Sequence, residues 1–225
     1  MKDILVLVSK DLKIELRSKD TLVLYSTLGI LLSVIIAAGA SAAFVNQSAI
    51  ISLFPSFLWI VFLLAGSYSV SKLQEIEFRN SVHQRMLVLG LNPASMFIAK
   101  AISTSIFIAA GFLVSLVALS TLLNVEIVSF LSGLTLLGIL AAFGFASLSV
   151  LLSCIALKSR VSALLLPLMI LPLLFPMFYA LIELTGAYLN SGESFFSSMW
   201  FTLLIGLDVL YAAIGMSLYI YVLKE

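Results

Sequence analysis

The sequence predicts an all-α membrane protein with six transmembrane helices, and three observations predict it. Of 225 residues, 62% are hydrophobic and only 10% are charged, where soluble domains run at about 45–50% and about 25%. The mean hydropathy is +1.22. The apolar residues gather in six runs, each close to the roughly 20 residues needed to cross a bilayer, with most charge between the runs.

Residues 1–20 precede the first run. Ile4, Leu5, Val8, Leu12 and Leu16 fall on one side at helical spacing, and Lys10, Lys13 and Arg17 fall on another. That pattern is an interfacial amphipathic helix, with an apolar face in the membrane surface and cations toward anionic lipid heads. The same charges interrupt any signal-peptide core. The helix sets topology, packs beside the next cytoplasmic segment, or does both.

The spans are predicted over 22–45, 50–71, 101–123, 129–157, 161–185 and 199–222. Their connections are "NQS" (46–48), a charged island (72–100), a link around Asn124–Glu126, "KSR" (158–160) and residues 186–198. The fourth run exceeds one crossing, and tilt or an interfacial end absorbs the excess. Every Lys and Arg lies in the N-terminal segment, the island and its edges, the "KSR" turn or the tail at Lys224, while the other three links carry only Glu126 and Glu193. Positive charge stays inside, so both termini and the island face the cytoplasm. Residues 1–225 form one transmembrane domain.

Several function classes fall away. A net charge of +1 offers no electrostatic footprint for nucleic acid. Cys154 stands alone, so it makes no internal disulfide and no CxxC metal or redox pair. Intramembrane proteases need a Ser–His pair, two aspartates or H-E-x-x-H. Here the single histidine, His83, lies outside the spans and Asp208 has no second intramembrane aspartate. The seven methionines are scattered through the spans and read as core.

The island carries Glu75, Glu77, Arg79, His83 and Arg85, with apolar residues at Ile76, Val82, Met86, Leu87 and Leu89. Gly90-Leu91-Asn92-Pro93 then breaks the pattern before the third span. A plain connecting loop is one reading. A short helix with charges on its exposed side is the other, and such a helix is a docking surface, because it holds no nucleophile–base pair.

The stretch "EFRNSVHQRMLVLGLNPASMFIAK" (77–100) resembles the cytoplasmic segment of ABC-2 type permeases. Their pattern is an acid, Gly-Thr-Leu-Glu-Gln-Leu-Leu, a proline turn, and a Lys opening the next span. Ser81 and Gln84 match it, Val82 is a mild change, and Asn80 and His83 depart. The length, the N-terminal helix, the six spans and "FPSFLWIVFLLAGSYSVSKL" (54–73) are similar to the CcmB family of cytochrome c maturation permeases. "LPLLFP" at Leu171–Pro176 resembles that family's Leu-Pro-Leu-x-x-Pro.

The resemblance implies a multi-pass permease subunit in the cell inner membrane, serving cytochrome c biogenesis. It would export haem or release a haem-loaded chaperone, with haem as cargo and no cofactor bound directly. The chain has no G-x-x-x-x-G-K-[ST] phosphate loop, so it is not itself the enzyme, and a separate CcmA-like ATP-binding subunit would hydrolyse ATP. Other partners would be haem-handling membrane proteins and a second permease copy in a two-fold homodimer. Glu75, Glu77, Arg79 and Arg85 would be rim charges of a coupling helix (72–100), and Ser81, Val82, Gln84 and Met86 would complete it. A generic ABC-2 exporter for a lipid, polysaccharide or drug-like substrate is the alternative.

Four residues inside the spans are further candidates. Asp208, mid-way along the last span, costs about 2.5–3.5 kcal/mol to insert and should face protein or water. It is a functional group or a protonated or hydrogen-bonded packing residue. Glu183 sits at the outer end of the fifth span and, like Glu126, is interfacial. Pro172 and Pro176, with Pro167, each remove a backbone hydrogen bond and kink the fifth span, as packing irregularity or as a gating bend. The segment "TGAYLNSGESFFSSMW" (185–200) is expected to dip back into the outer leaflet. His83 suits the docking helix better than haem ligation.

Overall fold

The computed structural model describes residues 2–79, 92–156, 162–192 and 195–224. Among them are seven α-helices: α1 (Lys2–Ser18), α2 (Asp20–Ala42), α3 (Gln47–Arg79), α4 (Pro93–Leu122), α5 (Leu131–Ala156), α6 (Ser162–Ser191) and α7 (Met199–Lys224). Single 3₁₀ turns at Val128–Phe130 and Phe195–Ser197 precede α5 and α7. Helices α2 to α7 supply six stretches long and apolar enough to cross a membrane. The all-helical reading holds for the described residues. The start of α4, the end of α5 and the end of α7 gather beside α1 through Met96, Val150 and Tyr219, at one end of the bundle, here the terminal end.

Helix α5 is the hub. Of its most apolar stretch, 72% is buried by protein, against 17% for α2 and 22% for α7. It packs against α4, α6 and α7, whereas α2 lies on α3 and α4. Van der Waals packing carries association between membrane helices, since lipid tails are as apolar as the side chains. Here that packing centres on rings. Trp59 of α3 stacks on Phe112 of α4 at 5.4 Å, and Phe62 meets Tyr25, Phe112, Phe145 and Phe178 at 5.6–6.4 Å. Five helices therefore meet in one aromatic cluster, which gains beyond area burial from edge-to-face geometry. The Trp59 indole N–H donates to Thr185 Oγ1 of α6 at 3.0 Å. Gly111 lets the Tyr25 ring close in, since a β-carbon there would lie 2.5 Å from Cδ1.

Helix α1 turns into α2 over one residue. Lys19 takes a left-handed conformation (φ 60°), and the buried Glu15 carboxylate accepts from the Thr21 backbone N–H at 2.5 Å. An acid at a helix N-terminus satisfies an orphan donor and complements the dipole. At the far end, Gln47 Nε2 donates to the Leu123 and Asn124 carbonyls at 3.2 and 3.0 Å, tying the start of α3 to the α4–α5 link.

Helix α6 runs through Pro167, Pro172 and Pro176 without interruption; neighbouring helices in a membrane bundle resupply bonds that prolines remove. It continues to Ser191, six residues beyond the expected end of the fifth span at 185. The fourth run resolves into a 3₁₀ turn followed by α5.

Candidate functional site

Two regions carry the chemistry that the sequence singles out. The first is the terminal end of α3 and α4. Helix α3 has 33 residues, about 50 Å at 1.5 Å per residue, against a hydrocarbon core of about 30 Å. Its apolar stretch ends at Gln74. Glu75, Glu77 and Arg79 therefore continue α3 itself as helix. The cause is continuity: nothing between Gln74 and Arg79 breaks a helix. Ser81, Val82, Gln84, Arg85 and Met86, with His83, lie outside the described residues. The chain is described again at Asn92, whose side chain accepts from Ala94 N–H at 3.0 Å, with Pro93 opening α4. An Asn cap followed by Pro is a favourable helix start, which is what the Gly-Leu-Asn-Pro break foretold.

Helix α1 packs against this region. Ile4, Leu7 and Val8 join Met96, Phe97, Val150, Leu151 and Tyr219 in a small apolar cluster. Leu5 and Leu16, on the apolar side expected to meet the membrane surface, are 69% and 64% exposed and are not covered by protein. The face toward protein runs through Ile4, Leu7, Val8, Asp11 and Glu15, at helical spacing. Beyond the cluster, Lys100 of α4 is only 6% exposed, with its Nζ 4.0 Å from Asp11 Oδ2. Ser103 Oγ donates to the same oxygen at 3.3 Å.

The second region surrounds Asp208. Its side chain is 4% exposed, and neither carboxylate oxygen has a hydrogen-bond partner among the described residues. It lies against Gly144 of α5, where a built β-carbon would collide with Oδ1 and lie 3.2 Å from the Met177 sulfur of α6. One turn on, Tyr211 OH donates to the Leu173 carbonyl of α6 at 2.6 Å. The N–H that Pro176 lacks would have gone to the Pro172 carbonyl, one residue before the Tyr211 acceptor. Asp208 thus sits where α5, α6 and α7 meet, and Tyr211, one turn along the same helix, bonds the proline segment. Pro172, Pro176 and Glu183 have exposed side chains and do not converge on the carboxylate. Gly144, Met177 and Tyr211 were missed by sequence reasoning; only a small residue facing an acid could have flagged them, and that pairing is tertiary. Among the described residues no cluster of His, Cys, Asp and Glu could hold a metal ion.

A family model described as CcmB protein matches residues 2–218. The chain belongs to the CcmB family. No curated protein and no solved structure matches it. As a CcmB-family chain with six candidate spans, it is a multi-pass membrane permease component of a cytochrome c maturation ABC transporter.

Proposed function

We propose that this chain is the membrane half of an ATP-driven machine of the cell inner membrane, with both termini in the cytoplasm. A separate CcmA-like subunit hydrolyses ATP. The segment from Glu75 through Met86 docks in a groove on that subunit, with Glu75, Glu77, Arg79 and Arg85 fixing register and Ser81, Val82, Gln84 and Met86 completing the contact. Charges on a rim set orientation and association rate more than affinity. The work done is haem export or release of a haem-loaded chaperone, and haem-handling membrane proteins are the neighbours. Two copies of the chain pair about a two-fold axis. Helix α1 lies in the membrane surface, its exposed Leu5 and Leu16 in lipid and its Lys13 and Arg17 toward anionic headgroups.

The observation that supports this reading most is the end of α3, a continuous helix that carries acidic and basic residues past the apolar stretch. A rigid helix leaving the membrane transmits force from a soluble motor without losing it in a flexible loop. A mild-detergent purification of the tagged chain from native membranes, with partners identified by mass spectrometry, tests it. The reading expects an ATP-binding subunit together with haem-handling membrane proteins. An ATPase without them favours a generic ABC-2 exporter, and no ATPase at all overturns the proposal.

A further inference from the structure

We infer that Asp11 and Lys100 form a strap by which α1 holds the first turns of α4, so that α1 moves with the coupling segment. The inference rests on the coupling reading above. Asp11 sits mid-way along α1, with Oδ1 3.0 Å from Lys10 Nζ and Oδ2 4.0 Å from Lys100 Nζ. Ser103 Oγ donates to Oδ2 at 3.3 Å. Lys100 lies two turns beyond the Asn92 cap and is the last residue of the coupling segment (72–100).

Docking α1 did not require ions. Ile4, Leu7 and Val8 already pack on Met96, Phe97 and Tyr219. An almost fully buried ammonium is costly unless it is paired and hydrogen-bonded, so a Met or Leu at position 100 would serve simple packing better. What the ion pair adds is register: it is satisfied at one axial position of α1 against α4 and lost when either slides. The other end of α1 is held too, because Glu15 caps α2. With one end fixed to α2 and its middle pinned to α4, α1 resists any shift of α4 relative to α2. A displacement that a motor imposes on the coupling segment is thereby passed to α1 and α2 together. Asp11 and Lys100 are positioning residues in this account, since they act through α4.

The test uses the full permease in membranes, co-expressed with its ATP-binding subunit, and reads three things: ATPase co-purification, cytochrome c maturation, and the thermal midpoint in mild detergent. Lys100→Met is expected to keep the ATPase and the midpoint while output falls about 5–10-fold, in the lower range of coupling effects; Asp11→Asn, which takes the carboxylate from a buried ammonium, is expected to lower the midpoint as well as the output. Lys100→Met preserves bulk and apolar packing, which separates lost register from misfolding. The swap Asp11→Lys with Lys100→Asp is expected to recover most of the output. Single variants at wild-type output, or a swap no better than the singles, overturn the strap. A wild-type permease that retains no ATPase overturns the coupling reading and the strap together, and that result is visible before any variant is made.

Discussion

Asp208 leaves no room for a β-carbon at position 144. Its carboxylate fills the space a side chain there would take, with the Met177 sulfur on the other side. Gly144→Ala must therefore push the acid off its rotamer or separate α5 from α7. Overpacking of this kind costs about 1–3 kcal/mol, seen as a lower thermal midpoint in detergent. Adding Asp208→Ala to Gly144→Ala should restore part of the loss, because the two side chains then no longer compete. A double variant as unstable as the sum of the singles would show that the contact is not what limits packing. The acid itself was legible in the sequence, since any carboxylate at mid-span is conspicuous in 21 apolar-rich residues. Its partner was not. A glycine among other small residues of α5 gains meaning only from the helix that lies against it.

At the scale of elements, the six spans, the Asn-Pro start of α4 and the helical N-terminus could be read from length, periodicity and capping. These are local properties, and local properties survive folding. What could not be read rests on tertiary contact. Helix α6 continues past all three prolines, and Tyr211 of α7 contributes a hydrogen bond to that region. The side of α1 that meets protein runs through Ile4, Leu7, Val8 and Asp11, while Leu5 and Leu16 stay open. Trp59 was one aromatic among many in sequence, but its ring stacks on Phe112 and its N–H ties α3 to α6 through Thr185. Thr185→Val keeps the shape and leaves the buried indole N–H without its acceptor, at a cost of about 1–3 kcal/mol. Thr185→Ser, which keeps the hydroxyl, should cost clearly less. Equal thermal midpoints for the two variants would remove this hydrogen bond from the account.

Along the whole chain, charge is sorted by segment. All 12 Lys and Arg residues fall in the terminal segments, the island and its edges, and the "KSR" turn, while Glu126, Glu183 and Glu193 fall in or beside links that carry no cation. The bundle between is held by rings and small residues, with α5 buried at its centre and α2 and α7 offering apolar faces outward. The polar handle proposed for this body is the stretch that begins where α3 leaves its apolar run. The measurement that tests this most directly is ATPase co-purification with the Glu75→Lys, Glu77→Lys double variant, alongside its insertion into the membrane. Inversion of two rim charges is expected to leave insertion at the wild-type level and to cost most of the bound ATPase, because mispaired charges at a docking surface cost several kcal/mol. An ATPase retained in full by the inserted variant would contradict the assignment of this end as the coupling surface.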